Sequence, residues 1–419
     1  MDVIHRICCG LDVHRDKLSV CLLSQTSRKA HKQNLTLSTF PDDLRRLRSF
    51  VLEHGVTAVA MEATGIYWKP VYAALEGVCE LIVANAQHIK RVPGRKTDVA
   101  DSQWIADLCS CGLLKPSFVP APAIRLMQPL VRERTHLAHE RATLINRMHR
   151  LLDEQGNKLG SIVSDLQGTS SKEILQRLAA GETDVATLIE CARTTLRRRK
   201  DDLARALSAP LNEVARHQLR RFLQRWELLD QQQREIDQAL DEHAAPYQQA
   251  IVRLCEIPGI EELTARKIVA EIGVDMTPFS TPERLASWAG VCPGNNESAG
   301  TKKSGKTRPG NKYLKSALME SAMAAARTAG TYLKTKYYQL KSRRGAKKAA
   351  MAIAHKQLKI VWHLLSDTEA RYRELGSSYL DKRHEERTIT KLTKRLEALG
   401  CEVQVQRRGK IDEPEVAPT

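Results

Sequence analysis

Apolar and polar positions over the first hundred residues fall into short runs separated by polar turns, then give way to long helical periodicity. Ile7 to Val13, Leu18 to Ser24 and Gln33 to Leu37 are apolar or alternating runs, parted by His14-Arg15-Asp16-Lys17 and by the polar stretch Gln25 to Lys32. Period-two alternation marks half-buried strands, so this pattern predicts a three-stranded antiparallel meander. An amphipathic run from Asp42 to His54 predicts a helix, Thr57 to Met61 a buried strand, the segment around Tyr67 to Leu75 a second helix, Glu80 to Val83 another strand, and a helix opens near Thr97. The order β-β-β-α-β-α-β-α is that of an α/β layer, helices over a mixed sheet.

From Ala123 to about Ala250 the chain reads as long helical segments rich in Arg, Gln, Glu and Leu. Leu219, Phe222, Trp226, Leu229, Ile236 and Leu240 keep a three-four spacing that Gln233 interrupts, a coiled-coil or helical-hairpin stripe. Such a stripe either packs back on its own domain or dimerises, and the spacing serves both. At Leu254 a third region begins, where Ile257-Pro258-Gly259-Ile260 separates two apolar-periodic stretches and Gly273 closes the second. This element is either like a helix-hairpin-helix, whose second helix could hold a phosphate on its first amides, or a plain helical corner. A loop dense in Gly, Ser, Asn and Lys runs from Pro293 to Asn311, followed by an Ala-rich helix from Lys312, a basic helical stretch beyond Gly330 and an apolar helix through Leu365. The domains are expected at 1–122, 123–250, 251–375 and 376–419, the last a helix and tail.

Composition narrows the partners. The 419 residues suffice for several cores, and a formal net charge of +17 would strain a compact fold unless a polyanion neutralised it, which makes nucleic acid the expected partner. Without a long apolar run, lipidation signature or signal peptide, the sequence reads as cytoplasmic, with no membrane association. The ten cysteines show no Cys-x-x-Cys spacing and read as buried thiols in a reducing compartment. At 5% aromatic residues, stacking of single strands is a minor mode beside backbone electrostatics.

Four acids carry the candidate chemistry. Asp12 ends the first predicted strand and Glu62 closes the strand Val59-Ala60-Met61, which can lie beside it. Asp98 and Asp101, three apart at a helix start, share one face, with Thr97 a plausible N-cap. Such a cluster suits Mg²⁺ or Mn²⁺, because hard cations take oxygen ligands and a pair of ions assists phosphodiester displacement.

The segments Gly-Leu-Asp-Val-His at 10–14, Met-Glu-Ala-Thr-Gly at 61–65 and Lys-Thr-Asp-Val-Ala-Asp at 96–101 resemble the DEDD motifs of the insertion-sequence transposases of family one-hundred-and-ten. The N-terminal domain of that family is similar to the junction resolvase RuvC. Ile-Pro-Gly-Ile at 257–260, Ala-Gly-Val-Cys-Pro-Gly at 289–294, Ser-Ala-Gly at 298–300 and Gly-Asn-Lys-Tyr-Leu at 310–314 extend the resemblance over almost the whole chain. It implies an RNase H/RuvC-like mixed sheet, a helical coiled-coil-like segment and a mainly helical C-terminal domain. It also implies that Asp12, Glu62, Asp98 and Asp101 bind metal and that Ser298 is the nucleophile that becomes linked to DNA; from the residues alone Ser304 is an equal choice. Finally, it implies a structured guide RNA pairing with donor and target DNA, and a homo-oligomer, dimer or tetramer, with active sites shared between subunits. Lys302, Lys303, Lys306, Arg308 and Lys312 flank the serine, and with Lys347 and Lys348 they suit phosphate contacts. The other functions considered are a junction resolvase or nuclease that uses water, and a non-enzymatic nucleic-acid-binding scaffold.

Overall fold

The computed structural model describes residues 3–25, 30–63, 65–86, 89, 101–193, 196–293, 296–298, 301–304, 307, 310–383 and 385–405, with the backbone alone for 296–298, 301–304, 387, 388 and 391. The chain forms two compact units, Met1–Val119 and Pro120–Thr419.

In the first unit, β1 (Ile7–Val13), β2 (Lys17–Gln25) and β3 (Ala30–Ser38) form the expected antiparallel meander. β4 (Ala58–Glu62) pairs in parallel with β1, and β5 (Glu80–Ala84) in parallel with β4, giving the order β3-β2-β1-β4-β5. Helices α1 (Pro41–Glu53), α2 (Trp68–Leu75) and α3 (Asp101–Ser110) cover the sheet. Alternate residues decide which helix goes where. Cys9, Leu11, Val13, Val59 and Met61 build one core with Leu44, Leu47 and Val51 of α1 and Val71 and Leu75 of α2. The opposite positions are small: Cys8, Ala58 and Ala60 pack with Ile105, Ala106 and Cys109 of α3.

Small side chains on that face let α3 lie close to the strands. The limit is reached at Gly10, where a Cβ would stand 2.1 Å from the Ser102 carbonyl oxygen and 2.3 Å from the Ala106 nitrogen. Both neighbours are helix backbone and cannot swing aside. Gly10→Ala is therefore expected to destabilise the protein by roughly 3 kcal/mol, the upper end of overpacking costs. A denaturant titration of the full chain reads this, and an unchanged midpoint would show that α3 can be displaced freely.

The second unit is helical. α4 (Pro122–Glu154) begins with proline at its first turn, which lacks the N–H that a helix start leaves unpaired anyway. Four short helices follow, α5 (Leu159–Ile162), α6 (Thr169–Ala180), α7 (Val185–Glu190) and α8 (Lys200–Leu207), then the long α9 (Glu213–Ala244), capped by Asn212 accepting from Ala215 N at 2.8 Å. Arg141 pairs with Asp230 at 3.3 Å, Arg225 with Glu140 at 3.2 Å, and Arg134 with Asp237, so α4 and α9 run antiparallel. The stripe resolves as intramolecular packing: Leu219, Trp226 and Leu229 share a core with Leu137, Leu144 and Met148 of α4.

Beyond it come α10 (Gln248–Cys255), α11 (Glu262–Ile272), α12 (Pro282–Trp288), a hairpin of β6 (Asn296–Ser298) and β7 (Thr301–Ser304), α13 (Lys312–Ala325), α14 (Tyr332–Arg344), α15 (Ala346–Ser366), α16 (Tyr379–Arg383) and α17 (Glu385–Glu397). The hairpin corrects the expectation of a plain loop from Pro293 to Asn311. The Ile257-Pro258-Gly259-Ile260 turn joins α10 to α11. Gly259, at φ +85°, lies against α13, where a Cβ would meet the Ser321 carbonyl at 2.4 Å. Buried Gln357 of α15 donates to the Pro258 carbonyl at 2.9 Å and is 2.8 Å from the Ser321 hydroxyl. This packing accounts for Gly259 without a bound phosphate. Among the described residues no helix is long and apolar enough to cross a membrane.

Among the described residues no cysteine forms a disulfide, and Cys8, Cys9, Cys21, Cys109 and Cys191 are buried. Burial pushes the Cys21 thiol up to about 11, which keeps it protonated and unreactive.

Candidate active site

The first unit gathers acids at one edge of its sheet. In the parallel ladder Leu11 stands opposite Met61, so Asp12 and Glu62, one residue further on, are neighbours at the carboxyl ends of β1 and β4. They belong to the face that carries Cys8, Gly10, Ala58 and Ala60, because successive strand residues alternate. β1 is also where the strand order reverses, antiparallel to β2 and parallel to β4. The carboxyl ends of strands at such a switch point are the usual ligand position of open α/β sheets.

α3 brings a third acid to the same edge. Ser102 and Ala106 cross over Gly10, whereas the Ser110 carbonyl accepts from Ile4 N at 2.8 Å and His5 N at 3.2 Å. The helix therefore runs antiparallel to β1, and Asp101, its first residue, lies at the end of the sheet where Asp12 and Glu62 sit. Asp98 lies outside the described residues. Asp12 and Glu62 are partly buried and Asp101 is exposed. His14 Nε2 stands 3.2 Å from Asp12 Oδ2.

Among the described residues no group of three or more His, Cys, Asp or Glu is close enough to hold a metal ion. Asp12, Glu62 and Asp101 share an edge of the sheet without closing into a cage. Their chemistry fits a hard divalent cation, since carboxylates offer oxygen donors.

In the second unit Ser298 is the last residue of β6, paired with Thr301 across the hairpin tip, whereas Ser304 pairs with Asn296 at the base. The base is pinned by backbone contact. A Cβ on Gly310 would lie 2.4 Å from Gly290 N and 2.5 Å from the Ala289 carbonyl carbon, so the segments before and after the hairpin touch directly. Asn311 then caps α13 by accepting from Tyr313 N and Leu314 N at 3.0 Å, and donates its side-chain amide to Glu271 Oε2 at 2.6 Å. Glu271 is only 1% exposed, and Arg132 makes a forked pair with it at 2.8–3.1 Å. A buried carboxylate needs such full pairing to remain charged. This network was not legible as a site. Only the Asn-x-x start of a helix after Gly310 hinted at a cap.

Of the predicted phosphate contacts, Lys302 and Lys303 lie on β7, Lys306 and Arg308 lie outside the described residues, and Lys312 opens α13. Lys347 and Lys348 are exposed in the first turn of α15, just after Gly345 at φ +81° and the cationic end of α14 (Lys341, Arg343, Arg344). Cations at a helix start oppose its dipole. In isolation that placement costs stability.

Residues 9–156 match the DEDD transposase domain of the IS110 family, and residues 252–339 match the transposase domain of the IS116/IS110/IS902 family. The chain is a transposase of the IS110/IS116 family. The first match contains all four acids; the second contains Ser298 and Lys312, while Lys347 and Lys348 lie beyond it.

The transposase is similar to a probable family 20 transposase of Pseudomonas aeruginosa, 28% identical over 328 residues, covering 77% of this chain and 87% of the relative. It is also similar to the transposase for insertion sequence element IS1111A of Coxiella burnetii, 25% identical over 370 residues, covering 86% and 90%. A solved RuvC structure from Thermus thermophilus covers 26% of this chain and 99% of its own length at 17% identity, but its TM-score of 0.21 carries no argument about the fold. The transposase matches set aside a non-enzymatic scaffold.

Proposed function

We propose that this transposase cuts and rejoins the DNA of an insertion sequence, with Asp12, Glu62, Asp98 and Asp101 as ligands of Mg²⁺ or Mn²⁺ and Ser298 as nucleophile. The observation that carries the reading is the convergence of Asp12, Glu62 and Asp101 on one sheet edge in a chain with both transposase domains. When bound, the cations supply charge stabilisation to the phosphate and to the attacking and leaving oxygens.

The residues divide the work. The acids offer oxygen ligands at the end of the sheet, and the hairpin carries Ser298 at the end of β6. As the Ser298 Oγ–P bond forms, the bond to one DNA strand breaks; the serine proton is lost and the departing strand gains a hydroxyl. Return attack by a hydroxyl-ended strand releases the serine and reseals the backbone, so rejoining needs no external energy source. Conserving the phosphoester in a covalent intermediate is the general advantage of a nucleophile over water.

Two further parts of the proposal rest on the family resemblance and on the basic charge: a structured guide RNA that pairs with donor and target DNA, and a homo-oligomer, dimer or tetramer, with sites shared between subunits. Phosphate contacts from the hairpin and from Lys347 and Lys348 dominate affinity in this account. The double variant Lys347→Gln/Lys348→Gln should therefore flatten the slope of log K against log salt for duplex DNA by roughly 1.8, about 0.9 per lost phosphate contact. Fluorescence anisotropy across a salt series reads it, and an unchanged slope removes these lysines from the interface.

The reading as a whole is tested by incubating the purified transposase with DNA spanning an element end, in Mg²⁺ or in EDTA, and resolving the products on denaturing gels. Cleavage confined to the Mg²⁺ lanes, with the cut end retarded by attached protein, is the expected result. Metal-independent cleavage, or cut ends free of protein, overturns it.

A further inference from the structure

We infer that a groove along α4 in the second unit is a track for a single DNA strand leading to the hairpin that carries Ser298. Two cavities, about 350 Å³ and about 320 Å³, meet at His136 and His139, which line both, and so follow one another along α4 as a groove. α4 is its floor. Its near end is walled by Lys267 of α11 and by Lys312 and Tyr313 of α13, its far end by Arg225 of α9. From Arg132 to Arg147 the floor spans roughly 22 Å at about 1.5 Å per residue, long enough for several nucleotides.

The charges within the groove do not cancel. Its acids are already paired: Glu271 with Arg132 at 2.8 Å, Glu320 with Lys267 at 3.4 Å, and Glu140 with both Arg225 and His136 at 3.2 Å. Among the described residues no carboxylate pairs with Lys312 at one end or with Arg147 at the other. Each of these two cations rests on an aromatic ring instead, Lys312 Nζ 5.0 Å from the Tyr313 centroid and the Arg147 guanidinium 4.8 Å from that of Phe222. Ring contacts order long side chains in advance while leaving their donors available, so less rotamer entropy is lost when a phosphate arrives.

The position of the groove selects the occupant. Lys312 and Tyr313 follow directly on Gly310 and Asn311, the pinned base of the hairpin, so a strand lying along α4 is delivered to the segment that bears the nucleophile. That direction rests on the proposed role of Ser298; the groove and its unpaired cations do not. A DNA strand is the substrate of that step, which favours it over RNA.

The test uses the full chain with a photocrosslinking benzoylphenylalanine in place of exposed Thr143, which lines the far cavity. It is irradiated with a labelled single strand from an element end, in the presence of a labelled RNA strand of the same length. An adduct digested by DNase and resistant to RNase is expected, and it should be lost in Arg147→Gln/Arg225→Gln. The same pair of substitutions should flatten the single-strand salt slope by roughly 1.4, about 0.7 per contact, whereas Arg197→Gln/Arg198→Gln, with equal charge loss elsewhere on the unit, should leave it unchanged. An RNase-sensitive adduct, no adduct, or equal flattening by both pairs overturns the proposal. Ser298→Ala should crosslink normally, so failure of the groove and failure of the serine mechanism are told apart.

Discussion

Asp98→Asn/Asp101→Asn transposase is expected to bind element DNA nearly as well as the parent and to cut it at least roughly 10³-fold more slowly, since metal-ion catalysis supplies several kcal/mol and about 1.4 kcal/mol is tenfold in rate. The single changes Asp12→Asn and Glu62→Gln should do the same, because those two acids are adjacent on β1 and β4 and neither can replace the other from its fixed strand position. Folding should be spared. Asp101 is exposed and Asp12 and Glu62 are only partly buried, so removal of their charge breaks no core. Cleavage rates, equilibrium binding and thermal midpoints of the three variants separate these effects. Full recombination by the double variant would contradict the metal-ligand assignment, and a lowered midpoint in every variant would assign the acids to the scaffold.

The second large effect is expected at Ser298. Ser298→Ala should abolish both cleavage and the covalent adduct while leaving DNA binding and metal binding intact, because the lost hydroxyl is the reacting group. Ser304→Ala should be milder. Ser304 pairs with Asn296 at the hairpin base, whereas Ser298 ends its strand beside the tip. A chain cleaved with equal speed after Ser298→Ala would leave the acids working with water, as in a nuclease. Mixing Ser298→Ala with Asp12→Asn protein addresses assembly: recovered activity is expected if sites are built from two subunits, and continued inactivity removes that part of the proposal.

Much of the first unit was readable in the sequence because its signals are local. Apolar or alternating runs at Ile7–Val13 and Leu18–Ser24 marked strands, polar turns marked the meander, and Asp12 and Glu62 were marked by their place at strand ends. Gly10 was missed as the crossing point of α3: a glycine in a strand signals close backbone approach, but which helix approaches is a long-range fact. The β6–β7 hairpin was missed because Asn296–Ser298 and Thr301–Ser304 are polar throughout and offer no alternation. The Leu219 to Leu240 stripe left its partner open because its spacing serves intramolecular packing and dimerisation alike, and tertiary packing on α4 settled it. Arg132, Glu271 and Asn311 meet across 139 and 40 residues of sequence, a separation at which no spacing rule operates. Asp98 remains a reading from the motif alone, since it lies outside the described residues.

The central claim is that a serine joins the cut DNA. It is tested most directly by trapping the reaction of the transposase with element-end DNA in Mg²⁺, digesting the product with nuclease and protease, and locating the residual nucleotide by mass spectrometry. The account predicts nucleotide mass on the peptide that contains Ser298 and on no other. Nucleotide on a tyrosine peptide such as that of Tyr67 or Tyr313, or metal-dependent cleavage with no modified peptide, would contradict it.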